Sequence, residues 1–182
     1  MKILAIDPSS NKEKSSTTGI VLLDNARLVD YWVVDYGTKG FKEWFEKTGK
    51  AIESDVVVIE KFEARDNDRS KDNTVLQTIA FIQMNYPDLI LQRNAGYQSD
   101  IPNELLKALG LWKFNKSHHQ DARASARLGL FWAVRNDIEA ARLGLFYALR
   151  NDIQEVIEDI GKVVHENSNN IKEVATRSRT KK

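Results

Sequence analysis

The chain has 182 residues, 42% of them hydrophobic, with 27 Lys+Arg against 26 Asp+Glu, three histidines and no cysteine. This suits one compact domain with a short appendage, and it excludes a disulfide framework, a thiolate zinc site and a cysteine nucleophile. The formal net charge of +1 is unevenly divided: residues 171–182 hold five bases (Lys172, Arg177, Arg179, Lys181, Lys182) and one acid, Glu173, so a tail of +4 follows a body of −3.

The four apolar residues 3–6 are too few for a signal h-region, and no stretch approaches the ~18 apolar residues of a membrane span, so a cytoplasmic protein without membrane contact is expected. Residues 2–6 read as a short strand buried on both faces. Residues 19–24 form a second strand, and Asn25-Ala26 turns the chain into a third over 27–36, predicting an antiparallel meander. Phe41, Trp44, Phe45, Thr48 and Ile52 then recur at helical spacing, so an amphipathic helix is expected over 40–53. Residues 55–60, with the apolar run 56–59, read as a central strand reached by a helical crossover, hence parallel to the first.

The polar stretch 63–73 reads as a loop, and 74–86 as a helix with Val75, Ile79, Ile82 and Tyr86 on one stripe, stopped by Pro87. A strand over 88–92 and a short helix over 101–111, with Pro102 in its first turn, follow. The order β-β-β-α-β-α-β-α predicts an α/β fold, a mixed five-stranded sheet with flanking helices.

The last third contains a duplication. Residues 126–140 (ARLGLFWAVRNDIEA) recur as 141–155 (ARLGLFYALRNDIQE), with eleven of fifteen positions identical. Fifteen residues turn a helix by about four turns plus ~60°, so a continuous apolar stripe from Leu130 through Val134, Ile138, Leu145 and Ile153 to Val164 survives the copying. A single helix from Gln120 to near His165 would be ~65 Å long, more than this domain can cover. It therefore breaks near Asn136-Asp137, or its second half packs on another chain. The expected organisation is an α/β domain over 1–135, a long C-terminal helical extension over 136–170 and the basic tail over 171–182.

Three acidic positions stand out. Asp7 follows the first strand and Glu60 ends the fourth; on adjacent parallel strands both emerge at one sheet edge. Two carboxylates there repel unless a proton or cation lies between them, and hard oxygen ligands favour Mg²⁺. Each is equally explained as the polar residue that ends an apolar run. In Ser117-His118-His119-Gln120-Asp121-Ala122, Ser117 and Gln120 have capping-box spacing, which alone accounts for a helix start. His118 and Asp121, three apart, share one face of the first turn, whereas His119 lies about 100° round. Packed against the carboxylate edge, that turn would add an imidazole and a carboxylate to Asp7 and Glu60, a set suited to one or two divalent ions.

Ile3-Leu4-Ala5-Ile6-Asp7-Pro8-Ser9, Thr18-Gly19, Val57-Val58-Ile59-Glu60 and His118-x-x-Asp121-Ala122 together resemble the RuvC family of Holliday-junction resolvases, in order and spacing, over residues 1 to about 135. The resemblance implies a ribonuclease H-like fold and a homodimeric, Mg²⁺-dependent endonuclease that nicks two opposed strands of a four-way DNA junction. It places metal ligands at Asp7, Glu60, His118 and Asp121, with two Mg²⁺ per site and Mn²⁺ able to substitute. It also implies two-metal hydrolysis, in which one ion activates water and the other stabilises the leaving 3′ oxygen, giving 5′-phosphate and 3′-hydroxyl ends. The small size, lack of cysteine and duplicated segment fit a phage-encoded member.

DNA contacts are expected from Arg65, Arg69, Lys71, Lys113 and Lys116, with Lys12, Lys14 and Lys107 as further bases near the same edge, and from Phe62 as a base-stacking residue. Scattered solubilising charge accounts for any one of these bases, and burial under the polar loop accounts for Phe62. Apolar surface at Ile79, Phe81 and Ile82 suits either a dimer interface or core packing. The alternatives are a nuclease acting on flaps, branched DNA or hybrids, and a junction-binding protein without catalysis.

Overall fold

The computed structural model describes residues 1–63, 73–115 and 119–136. Five strands, β1 (Lys2–Asp7), β2 (Thr17–Asp24), β3 (Arg27–Asp35), β4 (Val56–Glu60) and β5 (Ile90–Gln92), form one sheet in the order β3-β2-β1-β4-β5. The helices are α1 (Gly37–Lys47), α2 (Val75–Asn85), α3 (Tyr97–Asp100), α4 (Asn103–Ala108) and α5 (His119–Arg135). β1, β2 and β3 are antiparallel, while β4 lies parallel to β1 and β5 parallel to β4, so the predicted α/β mixed sheet and the β1–β4 pairing are both found. Asn25 and Ala26 close the first hairpin with φ of 50° and 63°, the paired left-handed conformations that match strand twist in a two-residue turn.

The near-continuous apolar strands are explained by cover on both faces. Alternation sends Ile3, Val21, Leu23 and Val58 to one side, where they pack on Ala122, Ala126, Leu130 and Phe131 of α5 and on Leu106 of α4. Leu4, Ile6, Ile20, Leu22, Val57 and Ile59 go to the other, against Phe41, Trp44 and Phe45 of α1 and Ile79 and Ile82 of α2. That second layer is aromatic: Trp44 lies 5.2 Å from Phe41 and 5.5 Å from Trp32 by ring centroid, and Phe45 meets Tyr86 edge-on at 5.4 Å.

Several expected boundaries are corrected. The helix expected over 40–53 begins at Gly37 and ends at Lys47; Thr48 leaves helical geometry at φ −135°, and Gly49 passes beneath the Trp44 and Phe45 rings, where a Cβ would meet Trp44 at 2.8 Å. Ile52 is extended. The helix expected over 101–111 is only Asn103–Ala108, with Pro102 extended before its first turn and Gly110 at φ 70° beyond its end, and α3 was not anticipated. The strand expected over 88–92 is Ile90–Gln92. On α2, Ile79 and Ile82 are buried, so the apolar surface left outward is Leu76 and Met84, with Leu91 beside it on the edge strand. The duplicated segment is described only through its first eleven residues, ten of which belong to the core-packed α5; the rest of the extension and the basic tail lie outside the described residues. Among the described residues, no helix is long and apolar enough to cross a membrane.

Candidate active site

Parallel pairing of β1 and β4 sets Ile6 opposite Ile59, and both side chains face the aromatic layer. The next residue on each strand turns the other way. Asp7 and Glu60 therefore emerge side by side at one edge, on the α5 side of the sheet. Their carboxyl groups are in hydrogen-bonding contact. Burial first, then the Glu60 charge, that hydrogen bond and the nearby Asp121 charge push the Asp7 carboxyl well above its ordinary value of 3.8.

Asp121 is delivered by a close helix-on-sheet approach. Gly19 on β2 lies under the first turn of α5, and a Cβ there would stand 2.2 Å from the main-chain oxygen of Asp121. One turn on, the Ser125 hydroxyl donates to that same Asp121 oxygen at 3.0 Å and accepts the Asp7 N–H at 3.2 Å, bolting α5 to the end of β1. Farther along, Gly129 again excludes a side chain, with Ala5 only 3.0 Å from where its Cβ would be. Small residues at Ala122, Ser125, Ala126 and Gly129 thus form the seam that lets the helix sink onto the strands.

Two of the acids have neutral partners. Thr17 donates its hydroxyl to Asp121 Oδ2 at 2.6 Å, and the Asn94 amide, just past β5, donates to Glu60 Oε1. Neither Thr17 nor Asn94 nor Ser125 was anticipated. Gly19 lay in a quoted motif, but its packing role was not readable there. Nearby, Asn11 in the β1–β2 loop accepts the Thr38 N–H at 2.7 Å and donates to Thr38 Oγ1 and Gln77 Oε1, each at 2.9 Å, tying the loop to the starts of α1 and α2.

The structure brings Asp7 and Glu60 together, with Asp121 near enough for its charge to act on Asp7. Phe62 is half-buried against the aromatic layer, and Lys113 is exposed beside Trp112. His118, Arg65, Arg69, Lys71 and Lys116 lie outside the described residues. Among the described residues no three Asp, Glu or His side chains converge as a ready-made metal cage. The donor chemistry nevertheless fits a hard divalent cation: two abutting carboxyls of oxygen-only character are stable together only with a proton or cation between them.

A mixed β3-β2-β1-β4-β5 sheet, with α5 across one face and acids at the ends of β1 and β4, is the ribonuclease H-like α/β fold. Among solved structures, the chain is similar to "T. thermophilus RuvC in complex with Holliday junction substrate" at 14% identity and a TM-score of 0.52, covering 75% of this chain and 96% of that one. A second, "Thermus thermophilus RuvC structure", aligns at 14% identity with a TM-score of 0.49, covering 74% and 96%. No protein-family model matches the chain, and no curated protein matches it significantly.

Proposed function

We propose that this chain is a metal-dependent endonuclease that resolves four-way DNA junctions as a homodimer, by paired symmetric nicks that leave 5′-phosphate and 3′-hydroxyl ends. The observation that carries the reading is the contact between Asp7 and Glu60, with Asp121 close enough to raise the Asp7 pKa further. The fold is one that a protein solved on a Holliday junction also has.

Asp7 and Glu60 would hold the divalent cations, Mg²⁺ by their hard oxygen character, with Asp121 and His118 completing the set. When bound, the ions supply charge stabilisation at the scissile phosphate and a hydroxide-like water near neutral pH. The residues' own part is positional: Asn94 orients Glu60, Thr17 orients Asp121, and Ser125 fixes α5 against the β1 end. Phe62, Arg65, Arg69, Lys71, Lys113 and Lys116 are the proposed DNA contacts. The uncharged outer face of α2, with Leu76 and Met84 exposed, supports a second copy docking there. A DNA substrate is in keeping with the expected cytoplasmic location.

The test is cleavage of labelled four-way junctions, flaps and linear duplex in Mg²⁺ or EDTA, with wild type and Asp7→Asn compared. Symmetric, Mg²⁺-dependent nicks in the junction, absent in Asp7→Asn, are expected. Preferential cutting of flaps, or cutting that survives Asp7→Asn, would overturn the reading.

A further inference from the structure

Two arginines on α5 are used in opposite ways. Arg127 is buried, with Nε donating to the Ile101 oxygen at 3.0 Å and a terminal nitrogen donating to Asn103 Oδ1. Its role is to join α5 to the start of α4. Arg123, one turn nearer the site, lies with its guanidinium carbon 3.6 Å from the centre of the Trp112 ring, and only its Nε is engaged, donating to the Trp112 oxygen at 3.0 Å. Stacking and that one hydrogen bond fix the plane of the group. Its two terminal nitrogens, a ready bidentate fork, have no partner among the described residues.

The charge around it is unbalanced. The Lys107 ammonium lies 5.4 Å from the same indole ring, and Lys113 is exposed directly after it. Among the described residues, none of Lys107, Lys113 and Arg123 has a carboxylate within ion-pair distance. Several cations spread over an open surface suit a row of phosphates, as on a nucleic-acid backbone.

We infer that Trp112 holds Arg123 as a fixed fork for a backbone phosphate, with Lys113 and Lys107 on neighbouring phosphates, so that the flank of α5 is a DNA contact surface. This deepens the proposed function and rests on it.

The test uses Asp7→Asn protein, so that DNA is not cut, and follows binding of fluorescent junction and linear duplex by anisotropy across a salt series. Added to that background, Arg123→Gln is expected to weaken both complexes about tenfold and to flatten the log–log salt slope by about 1. Lys113→Met should act in the same direction. Arg123→Lys should keep the slope but lose affinity, because it keeps the charge and loses the fork. Lys42→Met, on exposed α1, should change nothing.

Unchanged affinity and slope in Arg123→Gln and Lys113→Met would overturn the inference, as would a loss confined to the junction, since backbone phosphates are common to both DNAs. If Arg123→Gln does not fold, Lys113→Met and Arg123→Lys decide. A parent that binds no DNA overturns the proposed function along with this inference; a parent that binds while the variants match it overturns this inference alone.

Discussion

The two faces of the sheet are sealed by opposite means. Against α1 and α2 the filling is bulky, with Phe41, Trp44, Phe45 and Tyr86 in contact and Phe41 fully buried. Against α5 large side chains such as Leu128, Leu130 and Phe131 fill the far end, but at the site end the filling is minimal, with Gly19, Ala122 and Ser125 letting the helix sink onto the strands. Bulk provides apolar burial and tolerates a shift of a few tenths of an ångström. A close seam tolerates none, and it is the seam that sets Asp121 beside Asp7. Burial is therefore shared by both faces, whereas the chemistry is weighted to the close seam at one of them.

That division can be broken by mutation. Phe41→Ala, on the aromatic face, should cost ~3–5 kcal/mol of stability, read as a drop of about 10 °C in melting temperature, while the protein that remains folded binds cations as before. Gly19→Ala should cost less, ~1–3 kcal/mol, yet displace Asp121 and remove cleavage. If Gly19→Ala cuts DNA normally, the seam does not position the site.

Asp7→Asn should do the reverse of a damaging core change. The folded pKa of Asp7 is raised, so its neutral form is favoured in the metal-free fold. The resulting stability is full below the ordinary value of 3.8 and is lost as pH rises through the raised value. Metal-free wild type should thus melt progressively lower over that rise. Asp7→Asn should melt a few degrees higher than wild type at neutral pH, ~1 kcal/mol being worth about 2–4 °C at this size. A melting temperature independent of pH would contradict the contact with Glu60. The smallest effect is expected from Asn94→Ala, which leaves the fold intact and weakens cation affinity about tenfold by releasing Glu60.

Much of this was legible in the chain. Runs such as residues 3–6 and 56–59 announce strands covered on both sides, and their polar endings, Asp7 and Glu60, fall together once the strands pair in parallel. What remained hidden depends on residues far apart in sequence. Thr17 reaches Asp121 across 104 positions and Ser125 reaches Asp7 across 118, and no local spacing encodes either bond. Gly19 reads as an ordinary strand glycine until a helix is laid on it. The end of α1 was misplaced because Ile52 continued the apolar spacing after Thr48 and Gly49 had already left the helix.

The central claim is that Asp7, whose neutral form is favoured beside Glu60, exchanges its proton for a cation. Calorimetric titration of Mn²⁺ into metal-free protein, in two buffers of different ionisation enthalpy, measures it directly, because a cation that binds an Asp7 carboxyl held neutral must release its proton. The account predicts cation binding with proton release in wild type, and loss of both in Asp7→Asn. No binding, or binding that Asp7→Asn leaves unchanged, would contradict it.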